Sequence, residues 1–435
     1  MLDKRAGDDR IAAILTLLIF IATLALMLTR PRGLHEAWAA VGGATAMLAF
    51  RLETLHQAWS TIAQGANVLL FLLALMMLST LLDASGFFEW AAIKAAKAAN
   101  GDIAVLYRNV FLLGSAITAF LSLDTTAIIL TPIVMAFVRR LGLRARPFLV
   151  ACAMVANTGS LLLPVSNLTN LLFQSRLHFN FAEFALRMAL PQTASIAVGY
   201  AVLARFYRVD LTPTPNNRGF DPSLLPLADS VVEDRPFFLT AMATLGAILV
   251  GYFAGSMFHV PPYAIALAGC AILTSVGLAR RRIRKRTVVR DISWPLFPFV
   301  AGLFVVVRGV ENLGLTGIAS HVLAIAGKSP LAGIFASAFG AGIGSNVVNN
   351  IPMALLTLSV LGRAHYPTPE VYGALLGCNI GPNLTVAGSL ATMLVLTTAR
   401  QRGEDLSGLE FLRAGAIATP LILTAASAAL WLVLR

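Results

Sequence analysis

The chain has 435 residues, of which 57% are hydrophobic and 12% are charged, and its formal net charge is +12. An average soluble domain contains roughly 25% charged residues, so this composition excludes an ordinary soluble enzyme. The basic residues lie between apolar stretches, as in the run Arg280–Arg286. That distribution orients a membrane protein during insertion and does not form a basic face for nucleic acid. We therefore predict a membrane protein without a nucleic-acid partner.

Apolar stretches of the ~20 residues needed to cross a bilayer recur along the chain. The first, Ile11–Thr29, contains no charge and is followed by further spans, so we interpret it as a retained helix and not as a secretory signal. Ten spans are predicted, at residues 11–29, 34–50, 62–84, 147–173, 180–205, 237–257, 262–279, 291–310, 371–398 and 413–434. Two further apolar stretches, 107–138 and 330–361, are long enough to enter and leave on the same side as re-entrant hairpins. The sequence thus predicts an all-α polytopic membrane protein.

A polar segment divides the chain into two halves. Residues 206–236 form this segment, which we interpret as a cytoplasmic linker between a first repeat, 1–205, and a second repeat, 237–435. Each half holds five spans and one hairpin, so the halves must insert in opposite senses. Short echoes at nearly constant spacing support the division: LDTT at 123–126 echoes VNNI at 348–351, and NTG at 157–159 echoes NIG at 379–381. We therefore predict an inverted-topology repeat, an architecture typical of secondary transporters.

The orientation follows from the basic residues. With Arg280–Arg290 placed in the cytoplasm, most of the 33 Lys and Arg residues lie on the cytoplasmic side. The reversed map would put this excess outside, against the usual bias of membrane proteins.

Four polar clusters interrupt the apolar segments, at residues 122–126, 164–170, 344–352 and 378–392. Pro, Asn, Ser and Thr disturb a helix, so each cluster predicts a helix break. Broken backbone cannot face lipid and is tolerated where it lines a cavity, so four paired breaks predict one central site. Helix packing by these polar residues is the alternative. The candidate substrate-binding residues are Ser122, Thr125, Thr126, Asn157, Ser166, Asn167, Thr169, Asn170, Asn346, Asn349, Asn350, Asn379, Ser389 and Thr392.

Asp124 is the only carboxylate inside a cluster. An ionisable group at membrane depth is costly and usually functional, so we predict that Asp124 carries a proton or binds a cation, with a structural role as the alternative. Its echo in the second half is Asn349, so charge chemistry would differ between the halves. Asp83 and Glu311 form another echoing pair near span ends, where solvation and function both stay open. Arg308 and Arg187 could snorkel to the interface or pair with these acids.

Several kinds of chemistry find no support in the sequence. Cys152, Cys270 and Cys378 lie in apolar spans without CxxC spacing, so no disulfide framework is predicted. Neither a P-loop nor an HExxH motif occurs. We predict neither an enzyme nor a cofactor.

The clusters resemble the signatures of ArsB-type arsenite permeases of the ion transporter superfamily. The segments that carry the resemblance are SLDTTAIILTPIV, NTGSLLLPVSNLTNLL, GSNVVNNIPMALL and GCNIGPNLTVAGSLATML, in matching order. The resemblance implies a secondary transporter of the inner (plasma) membrane that exports arsenite and antimonite from the cytoplasm, exchanges them for protons and can associate with a separate cytoplasmic ATPase. It also implies a site made of hairpin tips and unwound helices. This chain has Asn379 and Asn383 where many members have an acidic residue and a lysine, so its fourth cluster is uncharged.

Arsenite near neutral pH is an uncharged trihydroxide, which suits hydroxyl and amide partners. We expect no metal site formed by thiols, and Cys152 and Cys378 are only minor candidates for metalloid contact. The alternative function is a related Na⁺/H⁺ antiporter, in which Asp124 and neighbouring hydroxyls hold a sodium ion, or an anion transporter, in which facing helix N-termini hold an oxyanion. A membrane-embedded enzyme would need a catalytic constellation, and the sequence shows none.

Overall fold

The computed structural model describes residues 2–177, 179–212, 219–312, 329–361, 368–404 and 406–435. All regular structure in these ranges is helical, which confirms the all-α prediction. The helices of the first half and the linker are α1 Leu2–Thr29, α2 Glu36–Ala49, α3 Leu55–Gln64, α4 Ala66–Ala84, α5 Phe87–Lys97, α6 Ile103–Phe120, α7 Leu123–Thr125, α8 Thr131–Arg140, α9 Ala145–Thr158, α10 Leu168–Leu177, α11 Phe181–Phe206 and α12 Arg208–Leu211. Those of the second half are α13 Arg235–Met257, α14 Pro262–Ala279, α15 Lys285–Arg290, α16 Leu296–Asn312, α17 Pro330–Val348, α18 Asn350–Leu361, α19 Thr368–Ile380, α20 Leu390–Gln401 and α21 Gly408–Leu434. Part of the predicted linker, 213–218, lies outside the described residues.

The predicted count of ten spans is not confirmed. Within the described ranges, 7 helices are long and apolar enough to cross a membrane. Five of them match predicted spans, namely α1, α4, α13, α14 and α21, and the other two, α6 and α17, are the first arms of the predicted hairpins. Of the remaining predicted spans, α2 with 14 residues and α16 with 17 residues are short, two are interrupted, and α11 is one continuous helix of 26 residues that is not among the seven. Hydropathy alone therefore overestimates the uninterrupted spans.

Helix α1 shows why these segments suit a membrane. Ile11, Ile14, Leu18 and Ile21 are each more than half exposed. At this spacing the four side chains share one face of the helix. A contiguous apolar face of this kind is rare on soluble proteins and is suited to contact with lipid.

The helices pack in two groups. In one group, α16 packs on α2, α1 on α2, and α14 on both α4 and α13. In the other, α17 packs on α19, α11 on α21, and α9 on both α6 and α20. Contacts of α10 with α4, of α16 with α18 and of α11 with α13 join the groups. The polar clusters lie mainly in the second group.

Both predicted broken helices are confirmed. The segment predicted as one span at 147–173 is split into α9 and α10, and the segment at 371–398 is split into α19 and α20. Short 3-10 turns occupy the interruptions, at Pro164–Ser166 in the first and at Gly381–Leu384 and Val386–Gly388 in the second. The breaks therefore coincide with the second and fourth polar clusters.

Candidate functional site

The tip of the first hairpin joins α6 to the short helix α7. The Ser122 hydroxyl caps α7 by accepting the backbone N–H of Thr125 at 3.2 Å, as an N-cap residue does. Next to the tip, the hydroxyl of Thr118 on α6 and that of Thr126, directly after α7, lie 2.7 Å apart. A π-helical turn begins at Thr126, and such turns are frequent at functional sites. Asp124 lies within α7, at the turn of the hairpin.

A cavity of about 650 Å³ opens at this tip. Asp124, Ser122 and Thr125 line it from the hairpin, and residues of α4 line the facing wall. Arg140 and Arg402 also line it, and both lie in segments that the distribution of basic residues predicts to be cytoplasmic. We call this space the cytoplasmic cavity. Three predicted site residues thus share one accessible space.

The first broken helix is held together by amide side chains. The Gln192 Oε1 atom accepts hydrogen bonds from the backbone N–H groups of Leu161 at 2.7 Å and Leu162 at 3.0 Å. Its Nε2 group donates to the carbonyl of Thr158 at 3.1 Å. The Asn170 side chain donates to the carbonyl of Ser160 at 2.7 Å. Backbone groups freed by the break are therefore satisfied by protein, as membrane depth requires.

Gln192 is a residue that the sequence analysis missed. It lies on α11, directly after Pro191, far from any polar cluster. Its only signal in the sequence is an amide side chain within a largely apolar segment, and the structure shows that this amide is buried.

The second broken helix is capped by the second hairpin. The Asn346 side chain donates to the carbonyl of Gly381 at 2.8 Å and accepts the backbone N–H of Thr385 at 3.0 Å. Asn349 donates to the carbonyl of Ala387 at 3.1 Å. Asn349 lies between α17 and α18 with φ 75° and ψ 156°, a conformation strained for any residue but glycine. Here the predicted site residues of the hairpin hold the broken backbone.

An amide network joins the two breaks across the molecule. The Asn379 Oδ1 atom accepts from the Asn167 side chain at 2.7 Å and from the Thr169 hydroxyl, and its Nδ2 group donates to Asn170 at 2.6 Å. Asn157, the residue of the first half that echoes Asn379, likewise reaches into the second half and donates to the Thr392 hydroxyl at 3.2 Å.

Asn157 also donates to Asn383 Oδ1 at 3.0 Å, and Asn383 donates to the Thr158 hydroxyl at 2.7 Å. Asn157, Asn379 and Asn383 are fully buried. Asn383 is a member of the fourth cluster that the sequence analysis did not include among the binding candidates. In this conformation the amides bind mainly one another.

The remaining candidates lie near these breaks. The Ser166 hydroxyl donates to the carbonyl of Ala119 at 2.5 Å, which fixes the first break to α6. Ser389 caps α20 by accepting the N–H of Ala391 at 3.2 Å. Asn350 begins α18, and its Oδ1 atom has no hydrogen-bond partner among the described residues.

The three cysteines are free and buried. Cys152 lies on α9 and Cys378 on α19, and the Cys270 thiol donates to the carbonyl of Ala74 at 3.3 Å. Of the residues that the structure describes, no thiol lines either of the two large cavities, and no group of three His, Cys, Asp or Glu could hold a metal ion.

A second cavity, of about 1210 Å³, lies at the N-terminal end of α4 and the C-terminal end of α16. We call it the outer cavity. Beside it the Arg308 side chain donates to the Thr61 hydroxyl at 2.6 Å and lies 3.7 Å from the buried Glu53 carboxylate. Glu311 accepts the hydroxyl of Ser359 and lies 3.6 Å from Arg176. Arg308 therefore pairs with an acid other than the two that the sequence suggested.

Comparison with known proteins gives a consistent result. The family model described as arsenical pump membrane protein, ArsB, matches residues 15–434. An arsenical pump membrane protein of Yersinia enterocolitica is 34% identical over 420 residues, covering 95% of this chain and 97% of that protein. Its counterpart in Escherichia coli strain K12 is 33% identical over 423 residues, with the same coverage.

Solved structures of transporters share the fold. The YdaH transporter of Alcanivorax borkumensis superposes with a TM-score of 0.54 at 14% identity, over 86% of each chain. Neisseria gonorrhoeae MtrF, described with a class of antimetabolite efflux pumps, superposes with a TM-score of 0.50 at 13% identity, over 86% of this chain and 83% of that chain. At these identities the likeness concerns the fold alone.

Proposed function

The chain belongs to the ArsB family of arsenical pump membrane proteins, and from this premise we propose that it exports arsenite and antimonite from the cytoplasm across the inner membrane in exchange for protons. The observation that carries the proposal is the pairing of this membership with a carboxylate, Asp124, among hydroxyls in the cytoplasmic cavity. The two halves would be inverted repeats, a relation supported by the reciprocal bonds Asn379–Thr169 and Asn157–Thr392.

The chemistry of the cavity suits the neutral trihydroxide. Such a molecule has three O–H donors and oxygen lone pairs but no charge for a fixed cation to bind. An ionised carboxylate accepts hydrogen bonds only, whereas serine and threonine hydroxyls both donate and accept. Asp124 with Ser122 and Thr125 therefore offers acceptors for the metalloid hydroxyls and donors for their lone pairs.

Exchange for protons follows if one group serves both ligands. When ionised, Asp124 accepts hydrogen bonds from the substrate on the cytoplasmic side. A proton arriving from outside converts the carboxylate into a neutral acid, which removes an acceptor and weakens substrate binding. The neutral acid is also the form that costs least at membrane depth. Return of the protonated site to the cytoplasmic side would release the proton there.

Everted membrane vesicles test the proposal. Vesicles from cells without their own exporter, with and without this chain, are given an acid interior and arsenite outside. We expect arsenite accumulation that needs both the chain and the pH gradient. Accumulation that ignores the pH gradient would contradict proton exchange. A sodium-driven flux indifferent to arsenite would support the alternative sodium-coupled function.

Two matched variants test the role of Asp124. Asp124→Asn should abolish the pH-driven accumulation. Asp102→Asn is the control on the same hairpin, because Asp102 caps α6 by accepting the N–H of Val105 at 3.0 Å and asparagine caps a helix equally well. Normal coupled transport by Asp124→Asn would remove Asp124 from the mechanism.

A further inference from the structure

Ser79 on α4 directs its hydroxyl in an unusual way. Hydroxyls in the spans commonly bond back to the carbonyl four residues earlier, as Thr80 does to Met76 at 3.0 Å and Thr23 to Ile19 at 2.7 Å. The Ser79 hydroxyl instead lies 2.6 Å from the hydroxyl of Thr125, at the tip of the first hairpin. Ser79 is thus a hydroxyl on a facing helix that is aimed at the predicted site.

The contact extends into a chain of hydroxyls. Thr125 also lies 2.9 Å from the Ser122 hydroxyl, so Ser79, Thr125 and Ser122 form a continuous series. All three line the cytoplasmic cavity together with Asp124. Because hydroxyl protons rotate, such a series can present donors or acceptors to a ligand as needed.

The second half of the chain makes the corresponding parts without these hydroxyls. In the alignment that pairs Asp83 with Glu311, Ser79 corresponds to Val307 of α16. In the alignment that pairs Asp124 with Asn349, Ser122 corresponds to Val347. A hairpin against a spanning helix therefore does not itself require hydroxyls at these positions. Their presence beside Asp124 alone points to a ligand.

We propose that Ser79 is a substrate contact that completes the metalloid site from the side opposite the hairpin, an inference that rests on the proposed function. The metalloid hydroxide enters between Ser79 and Thr125 and replaces their mutual hydrogen bond with two bonds to itself. Asp124 accepts the remaining hydroxyls. The substrate would then bridge α4 of one packing group and the hairpin of the other, so binding is sensitive to the distance between the groups.

The test is the concentration dependence of arsenite uptake in everted vesicles. For Ser79→Ala we expect KM to rise about five- to tenfold, the effect of one lost hydrogen bond, with little change in the maximal rate. Ser79→Thr keeps the hydroxyl and should restore KM. Ser275→Ala is the matched control, because Ser275 is exposed on α14 and donates to the carbonyl of Ala271 at 2.8 Å.

The outcomes separate this inference from the proposed function. Arsenite uptake by the unaltered chain, measured in the same vesicles, tests the function by itself. An unchanged KM in Ser79→Ala, with uptake intact in the unaltered chain, would overturn the substrate contact alone. So would equal loss of folded protein in Ser79→Ala and Ser79→Thr, measured by thermal unfolding in detergent, because that result assigns Ser79 to packing.

Discussion

The cytoplasmic cavity and the outer cavity are lined by corresponding positions of α4 and α16 but differ in chemistry. In the alignment that pairs Asp83 with Glu311, the lining residues Met76, Ser79, Thr80 and Asp83 of the first correspond to the lining residues Phe304, Val307, Arg308 and Glu311 of the second. The cytoplasmic cavity has hydroxyls and the Asp124 carboxylate at its hairpin. The outer cavity has a valine and an arginine at the matching helix positions.

The two echoing acids, Asp83 and Glu311, also differ in their contacts. Glu311 contacts Arg176 of α10 and Ser359 of α18, so it ties three helices together beside the outer cavity. Asp83 lines the cytoplasmic cavity and forms no ion pair within the described ranges. The comparison teaches that corresponding positions of α4 and α16 can line two cavities with different chemistry, with a serine beside a threonine in one and a valine beside an arginine in the other.

Moving the carboxylate from one hairpin tip to the other gives the largest expected effect. The double variant Asp124→Asn with Asn349→Asp should transport no better than vesicles without the protein. The second tip lacks the hydroxyls, and an ionised aspartate at 349 cannot make the hydrogen bond that Asn349 donates to Ala387. The measurement is pH-driven arsenite uptake. Restored uptake would show that the two tips are interchangeable and would break the comparison.

The two equivalent amides of the network should differ in their effect on stability. Asn379→Ala removes three side-chain hydrogen bonds and leaves buried partners unsatisfied, so we expect a loss of about 3–4 kcal/mol in the free energy of unfolding. Asn157→Ala removes two bonds, and the Asn157 Oδ1 atom already has no partner among the described residues. There the loss should be about 1–2 kcal/mol. Thermal unfolding in detergent measures both, and equal losses would contradict the asymmetry.

Opening the outer cavity should have the smallest effect. Glu311→Gln weakens the contact with Arg176, whose side chain is 51% exposed, and exposed ion pairs contribute about 0–1 kcal/mol. We expect a few-fold faster reaction of a cysteine at position 307 with a thiol reagent applied from outside, in a background without the three native cysteines. Asp83→Asn is the matched control and should leave that rate unchanged. If Asp83→Asn raised this reaction rate as much as Glu311→Gln does, the effect would not be specific to the acid beside the outer cavity.

Much of the architecture could be predicted because its signals are local. Hydropathy marks the spans, and clusters of Pro, Asn, Ser and Thr mark the breaks, since each acts on the backbone of its own helix. Asp124 could be singled out for the same reason, because a lone carboxylate in an apolar hairpin is visible in the sequence. The number of uninterrupted spans was not, because length and hydropathy do not show where a helix shortens against its neighbours.

By itself the sequence determined an all-helical membrane chain with interrupted segments and a carboxylate at one hairpin tip. Only the tertiary structure decided which polar groups face a cavity and which satisfy one another. Asn167 and Asn379 bond although 212 residues separate them, and Ser79 reaches Thr125 from another helix. A buried amide or hydroxyl looks the same in a sequence whether its partner is protein or substrate. Its role depends on the atoms that the fold brings within about 3 Å of it.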